Sequence, residues 1–329
     1  MSETGVLKSG EAPALQLRLL GRTGLKITEI GFGAWGIGGG FNIAGRGIGY
    51  GTTDDAISLA ALQHAFELGV NFVDTSDAYG AGHSEELVGK AIKLSPRRVH
   101  VATKVGRVRR DPEASTQDFS RDHITNACDR SLERLGVTMI DLYQLHNPPL
   151  SVIESGQVWD TLRDLKGKSK IAHYGISVGS PQEGIVAIEK GEVDTVQIVY
   201  NLLDREAAKD LFALAERKSV GIIARSPLAS GLLARKFSAG HRFAENDHRK
   251  DAYPPEKLDP LLQRVEKFRF LEKNGRSLGQ AALRFCLAHP AVSVVIPGTK
   301  TPAQAEENVH AAFVQDLNED DLRRIAELQ

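Results

Sequence analysis

Four side chains in the first half of the chain carry groups that together can reduce a carbonyl: the carboxylate of Asp74, the phenol of Tyr79, the ammonium of Lys104 and the imidazole of His146. A phenol, with an unperturbed pKa of roughly 10, is a poor proton donor at neutral pH. A nearby ammonium favours the phenolate, and a carboxylate paired with that ammonium holds it in place. An imidazole beside them can polarise a carbonyl or relay a proton. Taken singly, each has a plainer role: Asp74 and Lys104 as a buried ion pair, His146 as a satisfied core histidine, Tyr79 as a loop aromatic. The joint pattern points to hydride chemistry, because each residue ends or just follows a short apolar run: NFVDTS, DAYG, VHVATKV and IDLYQLH.

Those runs belong to an alternation of strand and helix along almost the whole chain. After a predicted hairpin (LQLRLL, a turn at Gly21 to Gly24, LKITEI), strands are expected at 29–35, 71–76, 99–105, 140–146, 173–178, 194–200, 221–227 and 293–298. They are short, continuous and rich in Val and Ile, as strands covered on both faces should be. Helix starts are read at Ser84, ahead of Glu85 and Glu86, and at Ser120, ahead of the stripe Ile124, Cys128, Leu132 and Leu135. Asp204 is expected to cap the segment carrying Leu211 and Leu214. Thr301, Pro302 and Gln304 are expected to form a capping box. Eight strands with intervening helices predict an α/β fold, a closed (β/α)8 TIM barrel with an N-terminal β-hairpin. In such a barrel the site forms at the carboxyl ends of the strands, where the four residues converge.

Size and charge agree with that architecture. A chain of 329 residues accommodates one barrel of roughly 250 residues or more. A flexible segment is expected at 1–16 and a single barrel domain at 17–329. Lys plus Arg number 41 against 42 Asp plus Glu, a net charge of -1, so no global field attracts nucleic acid or an anionic membrane. The first residues, MSETGVLKSGEAPA, have no apolar signal region, which predicts a cytoplasmic location. Cys128 and Cys286 lack metal-ligand spacing and are expected to be reduced core thiols; no metal site is expected. Two competing signals are set aside. Gly31, Gly33 and Gly36 fit GxGxxG, but no helix opens directly after them. Tyr253 and Lys257 have YxxxK spacing, but Pro254 and Pro255 lie between them and disfavour a shared helix.

The chain resembles the aldo-keto reductases, in the larger group that includes bacterial reductases and potassium-channel β subunits. The resemblance runs from about Leu17 onward, through LGRTGLKITEIGFGAW, NFVDTSDAYGAGHSEELVGKAI, VATKVG, IDLYQLHNP, YGISVGS, QIVYNLLDR, ARSPLASGLL and IPGTKTPAQAEENV. It implies that an extended nicotinamide cofactor crosses the barrel mouth. Tyr79 would be the proton donor, Lys104 would make the phenol a better acid, Asp74 would anchor Lys104, and His146 would orient the carbonyl. It also implies cofactor contacts from Gly33, Ala34, Trp35 and Asp74, with Ser177 and Gln197 on the carboxamide. Val178 stands where a polar neighbour is usual. Arg225 replaces a tyrosine that often stacks on the nicotinamide; its guanidinium would stack there or reach the pyrophosphate. Ser226 and the backbone of Leu228, Ser230, Gly231 and Leu232 would cradle the pyrophosphate. At the adenosine end, Gly298, Thr299, Gln304 and Asn308 stand where the family has a basic residue, a serine, an arginine and an asparagine. Lys300 is then expected to supply the missing charge for a 2′-phosphate.

The resemblance thus implies an NADPH-dependent reductase of small carbonyl compounds, or in reverse a dehydrogenase of the corresponding alcohols, with NADH as the alternative cofactor. A cofactor-bound regulatory or sensor subunit is the reading from another class, and a lyase forming a Schiff base on Lys104 a third. Substrate choice falls to the loops at 36–53, 107–119 and 234–255, and nothing in the sequence names an oligomeric state.

Overall fold

The computed structural model describes residues 14–43, 46–111 and 114–328, with the side chains of 41–48 and 109–115 excepted. The expected flexible segment at 1–16 lies outside these residues, apart from 14–16. The chain opens with an antiparallel hairpin, β1 (Leu17–Leu19) and β2 (Lys26–Thr28), then reaches β3 (Phe32–Gly33). A second hairpin, β4 (Phe41–Ile43) and β5 (Arg46–Ile48), precedes β6 (Phe72–Asp74) and β7 (His100–Val105). A third, β8 (Arg107–Asp111) and β9 (Ala114–Gln117), precedes β10 (Ile140–His146), β11 (Ile171–Ser177), β12 (Thr195–Val199), β13 (Gly221–Arg225) and β14 (Val292–Ile296).

Eight of these strands lie parallel in the order β3-β6-β7-β10-β11-β12-β13-β14, with helices between them: a TIM barrel. Its seam, between β3 and β14, is closed only by bridges at Ile30↔Val295 and Gly33↔Gly298. The expected strand at 29–35 contracts to two residues. A Cβ on Gly33 would lie 2.7 Å from the carbonyl oxygen of Ile296, so the chain can pass there only as glycine. It then leaves the sheet in the 3-10 turn Ala34–Ile37. Among the described residues no α-helix follows Gly36 until Asp55–Glu67. A helix starts at Pro255 and leaves Tyr253 outside it.

Side chains alternate across each strand with a period of two, so one face of each lines the barrel interior. Phe72, Ala102, Leu142, Ile223 and Val294 form an inner apolar layer, plugged from below by Leu20 and Ile27 of the hairpin. Gly21, with φ +53°, lets that hairpin approach: a Cβ there would stand 2.1 Å from the backbone nitrogen of Gly221. The other strand faces, including Val73, Val101, Tyr143, Leu145 and Ile176, pack against the surrounding helices in the larger core. Cys128 and Cys286 are buried free thiols within it.

Ser120 caps its helix by accepting from the His123 amide. Three other expected starts differ. Ser84 lies inside the helix His83–Leu94, whose cap is Gly82 at φ 101°. Its hydroxyl instead donates to the Ala34 carbonyl, 3.0 Å. Asp204 pairs through its backbone with Asn201, and Leu211–Arg217 is preceded by Asp210 without a side-chain cap. Thr301 does cap Pro302–His310, but the Gln304 side chain closes no box. It accepts from the Lys300 amide, 2.9 Å. Among the described residues no helix is long and apolar enough to cross a membrane.

Candidate active site

One step further along the strands from the inner apolar layer, the same alternation brings Asp74, Lys104, Gln144 and Gln197 inward. All four are buried, at 0–2 % exposure. Asp74 and Lys104 survive there because each is saturated with partners. Asp74 accepts from Lys104 Nζ (2.5 Å), Gln144 Nε2 (3.1 Å) and Gln197 Nε2 (2.7 Å). Lys104 gives its three protons to Asp74 Oδ1, the Thr75 carbonyl (2.9 Å) and the Tyr79 hydroxyl (3.1 Å). Burial opposes the charge on Lys104, but the Asp74 carboxylate and the Tyr79 oxygen outweigh it and hold the ammonium above its ordinary range.

Two residues on again come His146, Ser177 and Arg225, at the mouth. Tyr79 reaches the same level from the loop after β6, on the 3-10 turn Tyr79–Gly82. Gly38 backs it: a Cβ there would come within 3.2 Å of Tyr79 Cβ. The Tyr79 and His146 rings meet edge to face at 5.8 Å, and Trp35 lies 6.2 Å from Tyr79. Burial, and then the cations of Lys104, Arg107 and Arg225, push the His146 pKa well below 6.5, so its imidazole is neutral at physiological pH. Its Nδ1 lies 3.1 Å from Ser76 Oγ, whose hydroxyl also faces Asp77 Oδ1 at 3.2 Å. Burial, together with nearby Glu85, pushes the Asp77 carboxyl up to about 7.

These groups open into a cavity of about 480 Å³ at the barrel mouth, whose walls include Ala34, Trp35, Tyr79, His146, Arg225 and Ser226. A second cavity, of about 510 Å³, meets it at Gly298 and runs past Leu228, Lys236, Gln304 and Asn308. The two form a groove suited to an extended ligand. Ser226 lines the first cavity and Leu228 the second, and in the turn Ala229–Gly231 that follows them Ser230 and Gly231 take left-handed backbone (φ 56° and 95°). Leu232 just beyond is buried in the core. Arg225 keeps donor capacity for a further group: its Nη2 donates to the Val178 carbonyl (3.0 Å), while its Nε is buried without a partner among the described residues. Ser177 donates to Asn147 Oδ1, 2.9 Å. Asn147 thus places an amide on the mouth beside Val178, where the strand itself offers none.

The end of the groove expected to take the adenosine departs from the sequence reading. Thr299 is only 1 % exposed; its hydroxyl donates to the Pro297 carbonyl (3.1 Å) and accepts from Asn308 Nδ2 (3.0 Å). Lys300 turns away from the groove and donates to the carbonyls of Tyr50 (2.9 Å) and Thr52 (3.0 Å), tying down the first loop. Two cations do line this part of the groove: Arg235, which pairs with Glu272 (2.9 Å), and Lys236, which makes no ion pair among the described residues. Composition alone left Lys236 indistinguishable from any surface lysine. Gln144, Ser76, Asn147 and Arg107 likewise carry no motif of their own, although the period of two from His146 marks Gln144 as inward-facing.

The Aldo/keto reductase family profile matches residues 29–329. An uncharacterized oxidoreductase of Bacillus subtilis, YqkF, is 30 % identical over 94 % of this chain and 95 % of its own length. The holo form of the Bacillus halodurans aldo-keto reductase AKR11C1 superposes with a TM-score of 0.79 at 28 % identity, covering 95 % of this chain and 96 % of that one. The glycerol dehydrogenase AKR11B4 of Gluconobacter oxydans superposes at 0.81, also 28 % identical, over 95 % and 94 %. Motifs, barrel and relatives agree: the chain belongs to the aldo/keto reductase family and is an NAD(P)-dependent oxidoreductase.

Proposed function

We propose that the protein reduces aldehydes or ketones with NADPH, and oxidises the corresponding alcohols, with Tyr79 as general acid and base. One observation carries this reading. An ammonium has no lone pair, so the contact at 3.1 Å has Lys104 donating and the Tyr79 oxygen accepting. The phenol's own proton is therefore left to point into the cavity. Transfer of that proton to a nascent alkoxide leaves a phenolate that Lys104 stabilises, while Asp74 keeps Lys104 charged. Neutral His146, Gln197 and the Ser177–Asn147 pair supply the polar contacts that orient a carbonyl and a carboxamide. When bound, the nicotinamide supplies the hydride. The test is rapid mixing of the protein and NADPH with a reactive aldehyde. Prompt loss of reduced-cofactor absorbance over many turnovers is expected, and a single slow turnover would point to a sensor subunit instead.

The preference for NADPH rests on Lys236 rather than Lys300. A 2′-phosphate needs a cation or several donors, and Lys236 stands in the groove beside Gln304 and Asn308. Losing one charge-assisted hydrogen bond costs about 1.5–3 kcal/mol. Lys236→Ala should therefore weaken NADPH by roughly tenfold or more and barely change NADH, as read by fluorescence titration. Lys300→Ala, which loosens the first loop, should affect both cofactors alike. Equal loss of NADPH and NADH in Lys236→Ala removes this assignment.

A further inference from the structure

The charge around the mouth does not balance. Lys104 is neutralised by Asp74, and Arg134 by fully buried Glu85, 2.6 Å away. Arg107, Arg130 and Arg225 also line the cavity, and none forms an ion pair among the described residues. The one carboxylate left in the wall is Asp77, whose charge is itself weakened by burial. Arg225, at the end of β13, adjoins the turn Ala229–Gly231 and the groove. Arg107 lies elsewhere. It follows β7, and β7 and β13 are four strands apart in a barrel of eight, so Arg107 faces the groove from the opposite side of the mouth. Its guanidinium, exposed at the mouth, donates no hydrogen bond among the described residues.

We propose that Arg107 binds an anionic oxygen group, carboxylate or phosphate, on the carbonyl or alcohol substrate. A planar guanidinium offers paired donors that match such a group. With one end of the substrate held at Arg107, its carbonyl is directed toward Tyr79 and His146, which line the same cavity. The cofactor side of the groove stays clear. This substrate class rests on the reductase reading above but can fail separately from it.

The test compares 3- and 4-carboxybenzaldehyde with methyl 4-formylbenzoate, a neutral aldehyde of similar size, as NADPH-dependent substrates. In the wild type, kcat/KM for one or both acids should exceed that of the ester at least tenfold, and the advantage should shrink with added salt. In Arg107→Gln the ratio should fall to near one. Calorimetry reads the same site without turnover: benzoate or phenyl phosphate should bind the wild type at least tenfold tighter than benzamide, but not Arg107→Gln. The stronger of the two ligands identifies the anion. Equal kinetics for acids and ester, or an advantage that survives Arg107→Gln, overturns the proposal. If no aldehyde is reduced at all, the reductase reading fails, and calorimetry alone decides the anion site: binding no tighter than benzamide overturns it.

Discussion

Tyr79→Phe should lower kcat for a simple aldehyde by at least about 10²-fold, the usual worth of a positioned general acid. Cofactor affinity should hardly change. The substitution removes one oxygen and leaves the ring where it packs, against Gly38 and edge to face with His146. It takes one acceptor from Lys104, which keeps Asp74 and the Thr75 carbonyl. Any loss of stability should therefore be small beside the loss of rate. Steady-state kinetics together with cofactor titration provide the check. Near-normal turnover would leave Tyr79 without the role proposed for it.

Lys104→Met should be as severe in rate and should also destabilise the fold. Breaking a buried ion pair from one side strands the other charge, at about 3–5 kcal/mol. Here Asp74 keeps two amide donors, Gln144 and Gln197, so the cost should fall at the lower end, about 3 kcal/mol. Adding Asp74→Asn removes the stranded charge. Denaturant melts of the double variant should recover part of the lost stability, while activity stays lost. Recovery of turnover would mean that Lys104 acts only as a structural counter-ion. A double variant less stable than Lys104→Met would mean that the carboxylate is not the strained group.

The barrel was legible because its strands are covered on both faces: runs such as 140–146 stand out against polar helices and end where expected. The four reactive residues were legible for the same reason, since each sits at a strand end or just after one. Long-range commitments were hidden. Lys300 looked free to meet a phosphate, yet its ammonium is held by carbonyls 250 and 248 residues away. Asp204 has the chemistry of a cap, but its backbone pairs with Asn201 instead. The two hairpins on the mouth, β4–β5 and β8–β9, leave no strand signal in the sequence, because a run such as GIGGGFNIAGRGIGYG carries turn chemistry and little alternation.

The seam of the barrel has a dynamic consequence. Strands β6, β7, β10 and β11, which carry or adjoin Asp74, Lys104 and His146, are knit by continuous parallel ladders. Between β3 and β14 the ladder is reduced to isolated bridges, one of them joining Gly33 to Gly298 at the junction of the two cavities. Cooperative opening follows the weakest pairing first. The groove can therefore loosen at its own floor, and let a long ligand in or out, while the strands holding the reactive side chains stay closed. Rigidity for chemistry and compliance for exchange reside on neighbouring arcs of the same ring, which meet where Gly33 pairs with Asp74.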